Sequence, residues 1–253
     1  MRVVIVGAAG RMGRELRSTL DEFPSLELLA AIDREADAAS GITTGLDAAL
    51  VGAHVMIDFS SPQTTVANLE SCAARGVAAL VGTTGLGPEV EAAAAAAARR
   101  IPVLIAANTS LGVTLLVELV RAAARALPSE FDIEIAESHH RHKKDAPSGT
   151  ALALGRAAAA GRGVAFDEVR GTAREGEMPR RAGEIGFAVT RGGDIVGEHA
   201  VVFAGAGERV SLGHVATDRK IFARGALTAA SWLAGKAAGR YEMSDIIGSK
   251  STI

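Results

Sequence analysis

The sequence predicts an α/β chain in two parts. A parallel sheet covered by helices comes first, followed by an α+β part with a mostly antiparallel sheet. Three observations carry that expectation. Short apolar runs alternate with helix-like segments up to about residue 108, the texture of a sheet buried on both faces. A glycine-rich turn separates the first apolar run from the first helix. Beyond Asn108, period-two alternation and glycine turns replace the continuous runs, as strands with one covered face require.

The elements follow in order. Residues 3–6 form the first strand, and residues 10–20 place Met12, Leu16 and Leu20 on one helical face. Residues 26–32 form a second strand closed by Asp33, and residues 55–59 a third. Ser60 or Ser61 then caps a helix with Pro62 in its first turn, where the missing N–H costs nothing, and Gly76 stops it. Residues 77–81 and 101–106 are further strands, separated by the Thr83-Thr84-Gly85 turn and an alanine-rich helix opened by Pro88. Residues 113–126 form a helix stopped by Pro128, residues 131–135 a strand leading into a histidine-rich loop, and residues 150–160 a helix ended by Gly161. Alternation at Ile185, Phe187 and Val189, at Val210 and Leu212, and through 195–203 with a break at Gly197 supplies the second sheet. Residues 221–238 read as a last helix with Gly239 as its stop. The expected domains are 1–110, on which a C-terminal helix at 221–253 packs back, and 111–220.

Bulk properties narrow the function classes. The 253 residues are 48% hydrophobic and 22% charged, with a net charge of −2. That suits a soluble globular protein, and it provides no global field to recruit nucleic acid or a membrane. The single cysteine, Cys72, excludes an internal disulfide. The alanine run at 92–98 is too short to span a bilayer, and the chain opens directly on a strand without a leader, so a cytoplasmic location is expected.

Gly7, Ala8, Ala9, Gly10, Arg11 and Met12, followed by Gly13, lie between the first strand and the first helix. A dinucleotide pyrophosphate rests at such a place, on backbone N–H groups at a helix N-terminus. The spacing is G-x-x-G-x-x-G rather than the commoner G-x-G-x-x-G. Asp33 strengthens the pattern, ending the second strand about twenty residues past Gly13, where a carboxylate accepts from ribose hydroxyls. Arg34 beside it can pair with a 2′-phosphate, so NADH and NADPH both fit. These features make the first domain a Rossmann-type dinucleotide-binding domain. Gly82, Thr83 and Thr84, and Ala106, Ala107 and Asn108, end later strands on the same side of the sheet and are candidates to line the nicotinamide. The plain alternatives are a tight turn with a surface Asp-Arg pair, and ordinary loop chemistry.

Residues 139–150 put three of the six histidines, His139, His140 and His142, among Arg141, Lys143 and Lys144 beside a Pro-Ser-Gly-Thr turn. Several readings compete. A metal site is opposed by the alternating direction of adjacent side chains and by the cations around them. A phosphate or nucleic-acid patch lacks flanking aromatics and overall basicity. A solvated basic loop before an ordinary helix start is the plain alternative. Acid-base catalysis on an anion accounts for most of the cluster. A histidine, and a lysine whose pKa neighbouring cations lower, can each supply a proton. The helix opened by Ser148, Gly149 and Thr150 can hold a carboxylate.

Gly-Ala-Ala-Gly-Arg-Met-Gly at 7–13, Gly-Thr-Thr-Gly at 82–85, and Glu137-Ser138-His139-His140-Arg141-His142-Lys143 running into Asp145-Ala146-Pro147-Ser148-Gly149-Thr150 resemble the 4-hydroxy-tetrahydrodipicolinate reductase (dihydrodipicolinate reductase) family. The likeness continues through residues 183–187 and 191–199 and so spans nearly the whole chain. It implies NADH- or NADPH-dependent reduction of 4-hydroxy-tetrahydrodipicolinate to tetrahydrodipicolinate with loss of water, a step of lysine and diaminopimelate biosynthesis. It implies His139 as proton donor and acceptor and Lys143 as second donor, with His140, Gly149 and Thr150 binding substrate. Residues 7–12, Asp33, Arg34, 82–84 and 106–109, Thr109 included, match the family's cofactor contacts, and a homotetramer is implied; no metal is expected, because adjacent side chains alternate in direction and cations surround them. Two positions depart from the common pattern: Thr109 stands where many members carry Phe, and Asp33 where Glu is common. A hinge near 108–112 would let the domains close and exclude water. The rival readings are another amino-acid-pathway NAD(P)-dependent dehydrogenase and a non-catalytic dinucleotide sensor.

Overall fold

The computed structural model describes residues 1–172 and 174–248. Backbone contacts divide the chain into two units. Unit 1 is Met1–Leu111 with the segment from Lys220 onward, and unit 2 is Gly112–Arg219.

In unit 1 the apolar runs become β1 (Arg2–Val6), β2 (Glu27–Ile32), β3 (Ile42–Thr43), β4 (Val55–Asp58), β5 (Ala78–Val81) and β6 (Pro102–Ile105). Between them lie α1 (Arg11–Thr19), α2 (Leu46–Ala49), α3 (Pro62–Arg75) and α4 (Pro88–Ala97). Pro62 occupies the first turn of α3, and Gly76 closes it in the left-handed conformation at φ 69°. Ser61 is the N-cap residue, although its side chain makes no capping bond.

Unit 2 begins within α5 (Leu111–Ala126), which starts at the boundary. It continues through β7 (Asp132–His139), α6 (Gly149–Arg162), α7 (Phe166–Val169), β8 (Ile185–Arg191), β9 (Gly197–Ala204) and β10 (Arg209–Ala216). The chain then returns to unit 1 as α8 (Lys220–Leu233), β11 (Gly239–Tyr241) and α9 (Met243–Gly248). The expected single helix at 221–238 therefore stops earlier. Gly239 does not end a helix but opens an edge strand, because pairing to β6 overrides the helical preference of the alanines before it. The part of the expected C-terminal helix at 249–253 lies outside the described residues.

All pairings of the unit 1 sheet are parallel, in the order β11-β6-β5-β4-β1-β2-β3. Successive side chains of a strand face opposite sides. Val3 and Ile5 accordingly join one core with Ile57, Leu80, Leu16 of α1 and Leu227 and Leu233 of α8. Val4 and Val6 join the other, with Met56, Leu69 of α3 and Val90 of α4. Each such fully buried side chain contributes about 1.5–3 kcal/mol relative to exposure.

The unit 2 sheet, in the order β10-β9-β7-β8, is mixed rather than mostly antiparallel. β9 pairs antiparallel with both β10 and β7, but β7 and β8 run parallel because helices α6 and α7 intervene between them. Alternating hydrophobicity reports a covered face, not strand direction. Ile133, Ile135, Val201 and Phe203 bury that face with Leu154 and Ala158 of α6. Ala136, Ala188 and Gly213 on the other face are exposed.

Two further boundaries differ from expectation. β7 runs on to His139, so the first histidine of the cluster sits on the strand end rather than in a loop. α6 ends at Gly163 (φ 70°), not at Gly161. Gly161 is small because α5 packs there, and a Cβ would lie 2.4 Å from the Arg121 carbonyl oxygen. Among the described residues, no helix is long and apolar enough to cross a membrane.

Candidate functional site

The β1–α1 turn is built by its glycines. Gly7 has φ 79°, and a Cβ there would lie 2.5 Å from the Phe59 carbonyl oxygen. A Cβ on Gly13 would lie 2.2 Å from the Gly7 oxygen, so strand and helix meet closely. The Gly7 and Ala8 N–H groups both donate to Ile32 O, and Ala8 is fully buried, so these two residues shape the turn rather than face outward. Ala9 and Gly10 are exposed, Arg11 is exposed and Met12 half-buried. Helix α1 begins just after its N-cap residue Gly10, with no side-chain cap and no acid in its first turn. Such an uncapped start carries partial positive charge.

A cavity of about 560 Å³ opens beside this turn, lined by Gly7, Ala9, Gly10, Asp33, Arg34 and by Phe59, Ser60, Ser61, Thr64 and Asn68. Asp33 accepts from Ala9 N–H (2.9 Å) and Arg34 N–H (2.8 Å). A carboxylate has about four acceptor positions, so capacity remains for a ligand hydroxyl.

Sequence reasoning missed a buried acid behind the lining residues Ser60 and Asn68. Asp58, fully buried at the end of β4, accepts from Ser60 N–H (2.8 Å), Asn68 Nδ2 (3.0 Å) and Thr83 Oγ1 (3.4 Å). Its carbonyl accepts from Gly82 N–H at 2.8 Å. It thereby ties the turn after β5, with Gly82, Thr83 and Thr84, to the turn after β4. The Phe59 ring occupies the space a Cβ on Gly82 would need, at 2.2 Å. Gly82 and Thr83 are buried, and Thr84 is exposed. Ala106, Ala107, Asn108 and Thr109 follow β6 at the same end of the sheet but do not line the cavity. Thr109 is buried, with its hydroxyl donating to Phe222 O at 2.7 Å.

In unit 2 the histidine cluster splits. His139 Nδ1 lies 2.6 Å from Glu137 Oε2. The same carboxylate accepts two bonds from Arg191, each 2.8 Å, and one from Ser148 N–H at 2.9 Å. Burial pushes the Glu137 carboxyl up, but Arg191, His139 and the Ser148 amide outweigh it, and the group is held below its ordinary range. His199 of β9 stacks edge-on to His139 at 5.1 Å and meets Ser148 Oγ at 3.1 Å. Burial, then the charge of His139, lowers the His199 pKa to about 4.

Lys143 Nζ sits 2.9 Å from Asp145 Oδ1, so its close partner is an acid, not the surrounding cations invoked from sequence. His140 Nε2 contacts the Arg219 guanidinium at 2.9 Å, and burial with that charge lowers its pKa. Ser148 caps α6 by accepting from Ala151 N–H, and Gly149 stands exposed at the helix start beside half-buried Thr150. His142 and Lys144 are exposed. Among the described residues, no three His, Cys, Asp or Glu side chains converge to hold a metal ion. Cys72 is buried with its thiol pushed up to about 12, which makes it inert as a nucleophile.

Comparison with known proteins bears on both units. Residues 1–109 match the family "Dihydrodipicolinate reductase, N-terminus", and residues 112–247 match "Dihydrodipicolinate reductase, C-terminus". The chain is 49% identical to the 4-hydroxy-tetrahydrodipicolinate reductase of Ruegeria sp. (strain TM1040), covering 97% of each chain. It is 47% identical to that of Thiobacillus denitrificans, covering 99% of each. Among solved structures, the dipicolinate-bound dihydrodipicolinate reductase of Paenisporosarcina sp. TG-14 superposes with a TM-score of 0.80 at 24% identity, over 96% of this chain and 97% of that one. The C. glutamicum DAP dehydrogenase in complex with DAP shares the fold more distantly, with a TM-score of 0.59 at 14% identity over 97% of this chain and 93% of that one.

Proposed function

The chain belongs to the dihydrodipicolinate reductase family, and from that premise we propose how its residues divide the work. The reaction is NAD(P)H-dependent reduction of 4-hydroxy-tetrahydrodipicolinate to tetrahydrodipicolinate. One hydride and one proton enter, and the hydroxyl leaves as water. The bound nicotinamide supplies the hydride, and the protein supplies alignment and protonation.

The residues of unit 1 fit a dinucleotide. The Gly7 and Gly13 positions have no room for a Cβ, and α1 starts without a side chain or acid to compete for an anion. Ala9, Gly10, Arg11 and Met12 hold the pyrophosphate, Asp33 takes the adenosine ribose, and Arg34 reads a 2′-phosphate. Residues 82–84 and 106–109 orient the nicotinamide ring, supported from below by Asp58.

In unit 2 the start of α6, with exposed Gly149 and half-buried Thr150, holds the two carboxylates of the substrate together with His140 and Lys143. His139 delivers the proton and Lys143 serves as second donor. The observation that carries this division is the geometry at His139. Its Nδ1 is committed to Glu137, which leaves Nε2 for the substrate, and a Cβ on neighbouring Gly197 would come within 3.0 Å of that nitrogen. The exposed small-residue face at Ala136, Ala188 and Gly213 supports a homotetramer built through the unit 2 sheet. The location is cytoplasmic, where this biosynthetic step has its cofactor.

The test mixes the purified protein with NADH or NADPH and the condensation product of pyruvate and aspartate semialdehyde, and follows reduced-cofactor absorbance. Oxidation is expected. His139→Ala should lower kcat by about a hundredfold or more at nearly constant cofactor KM. Undiminished turnover would remove His139 from the reaction.

A further inference from the structure

We propose that Glu137, clamped by Arg191, is the positioning residue that aims the His139 ring and fixes which of its nitrogens carries the transferable proton. This rests on His139 as the proton donor and adds what makes it one.

Glu137 and His139 alternate on β7 and so project to the same face of the sheet. On that face the Glu137 carboxylate is almost entirely buried, and its acceptor positions are all taken. Oε1 accepts from Arg191 and Ser148 N–H; Oε2 accepts from Arg191 and meets His139 Nδ1. A carboxylate gripped from four directions cannot follow the imidazole if it rotates, so the 2.6 Å contact orients the ring. Because an ionised carboxylate only accepts, the Nδ1 position must be the protonated one. A neutral ring then presents Nε2 as acceptor, and an imidazolium presents Nε2–H as donor.

The same clamp reaches the rest of the cluster. Arg191 also donates to Asp145 O at 2.6 Å, and Asp145 holds Lys143. Ser148, bound to Glu137 through its amide, caps α6 beside Gly149. Arg191 rather than Glu137 thus holds the Lys143 segment, and of the two proton donors only His139 meets the Glu137 carboxylate itself. The charged and titratable groups around the ring are Glu137 on its own strand, His140 next in the chain, Arg191 from β8 and His199 from β9. Of these only Glu137 bonds a ring nitrogen.

The test is a cycle of Glu137→Gln and His139→Ala. In the otherwise native enzyme, Glu137→Gln should lower kcat at least about tenfold, because the acceptor that fixes the tautomer of a proton-transferring histidine is lost, and leave substrate KM within about threefold. In the His139→Ala background it should cost nothing further. A residue that only stabilises the fold would cost the same in both. Spectra of ¹⁵N-histidine-labelled protein should show His139 protonated at Nδ1 in the wild type and a mixture of tautomers in the variant. If the Gln variant does not fold, Glu137→Asp keeps the Arg191 charge pair but withdraws the carboxylate from the ring, and the same kcat loss is expected. Near-native kcat in either folded variant, or an equal loss in both backgrounds, overturns the proposal. Full turnover by His139→Ala alone would instead remove the premise, and the proposal with it.

Discussion

Replacing His199 with Gln should flatten the acid sensitivity of the enzyme. His199 is only 5% exposed, and burial, followed by the charge of His139, holds its pKa at about 4 against an ordinary 6.5. The folded state thus refuses a proton that the unfolded chain accepts. The group's contribution to stability is fully present above 6.5, declines as the unfolded chain protonates, and is gone once pH has fallen through about 4. Between about pH 7.5 and about pH 5 those two values imply a loss of roughly 2 kcal/mol, and of about 3 kcal/mol once pH is well below both. Gln can still meet Ser148 Oγ, so the α6 cap is retained in the variant. Urea unfolding followed by circular dichroism at the two pH values reads the effect. Wild type should lose about 2 kcal/mol more than His199→Gln on acidification. Glu137, Asp145, Glu184, His140 and His214 all have lowered pKa values and weaken the fold in the same direction. They do so in both proteins, so the difference isolates His199. Identical pH slopes would refute the argument that His199 is buried uncharged.

Two predictions concern unit 1. Arg34→Ala should raise the KM for NADPH at least about tenfold more than that for NADH, the size of a lost charge-assisted contact, and equal losses would show that Arg34 does not read the 2′-phosphate. Gly7→Ala and Gly85→Ala separate two costs, because both glycines have positive φ but only Gly7 has a neighbour in the way. Gly85→Ala should cost about 1 kcal/mol in urea unfolding, and Gly7→Ala a further 1–3 kcal/mol or so with weakened NADH binding. Equal costs would mean that the Phe59 carbonyl yields.

The strands of unit 1 were legible because burial on both faces leaves an unbroken apolar run, as in 3–6 and 77–81. β3 and β11, with two and three residues, carry no such pattern; they exist because an edge of the sheet is there to pair with. The histidines proposed for proton transfer and substrate binding were visible as a cluster of unusual composition. Their partners were not, since Arg191 lies 54 residues from Glu137 and only the β7–β8 register brings them together. One signal was available: Glu137 and His139 sit two apart on a strand, and so share a face. Asp58 left no mark at all, because a strand ending in Asp before a helix also reads as a simple turn.

Thr109 shows why a departure from a family pattern cannot be judged residue by residue. The sequence says only that a ring is missing. In the structure the Thr109 hydroxyl donates to Phe222 O, and the Thr109 carbonyl fills the space left by Gly225, where a Cβ would fall 1.8 Å away. Both partners are on α8. The 106–109 turn is therefore held by a hydrogen bond and a close backbone approach rather than by an aromatic side chain, and the two ends of that contact are Thr109 and Gly225 together. Since α8 also contributes Ala226, Leu227, Ala230 and Leu233 to one core of unit 1, the burial that anchors the returning helix also fixes this turn. A larger residue at 225 would displace the turn even though its side chain faces no ligand. The returning C-terminal segment thus belongs to the architecture of the cofactor side, tied to it by backbone geometry that no local motif records.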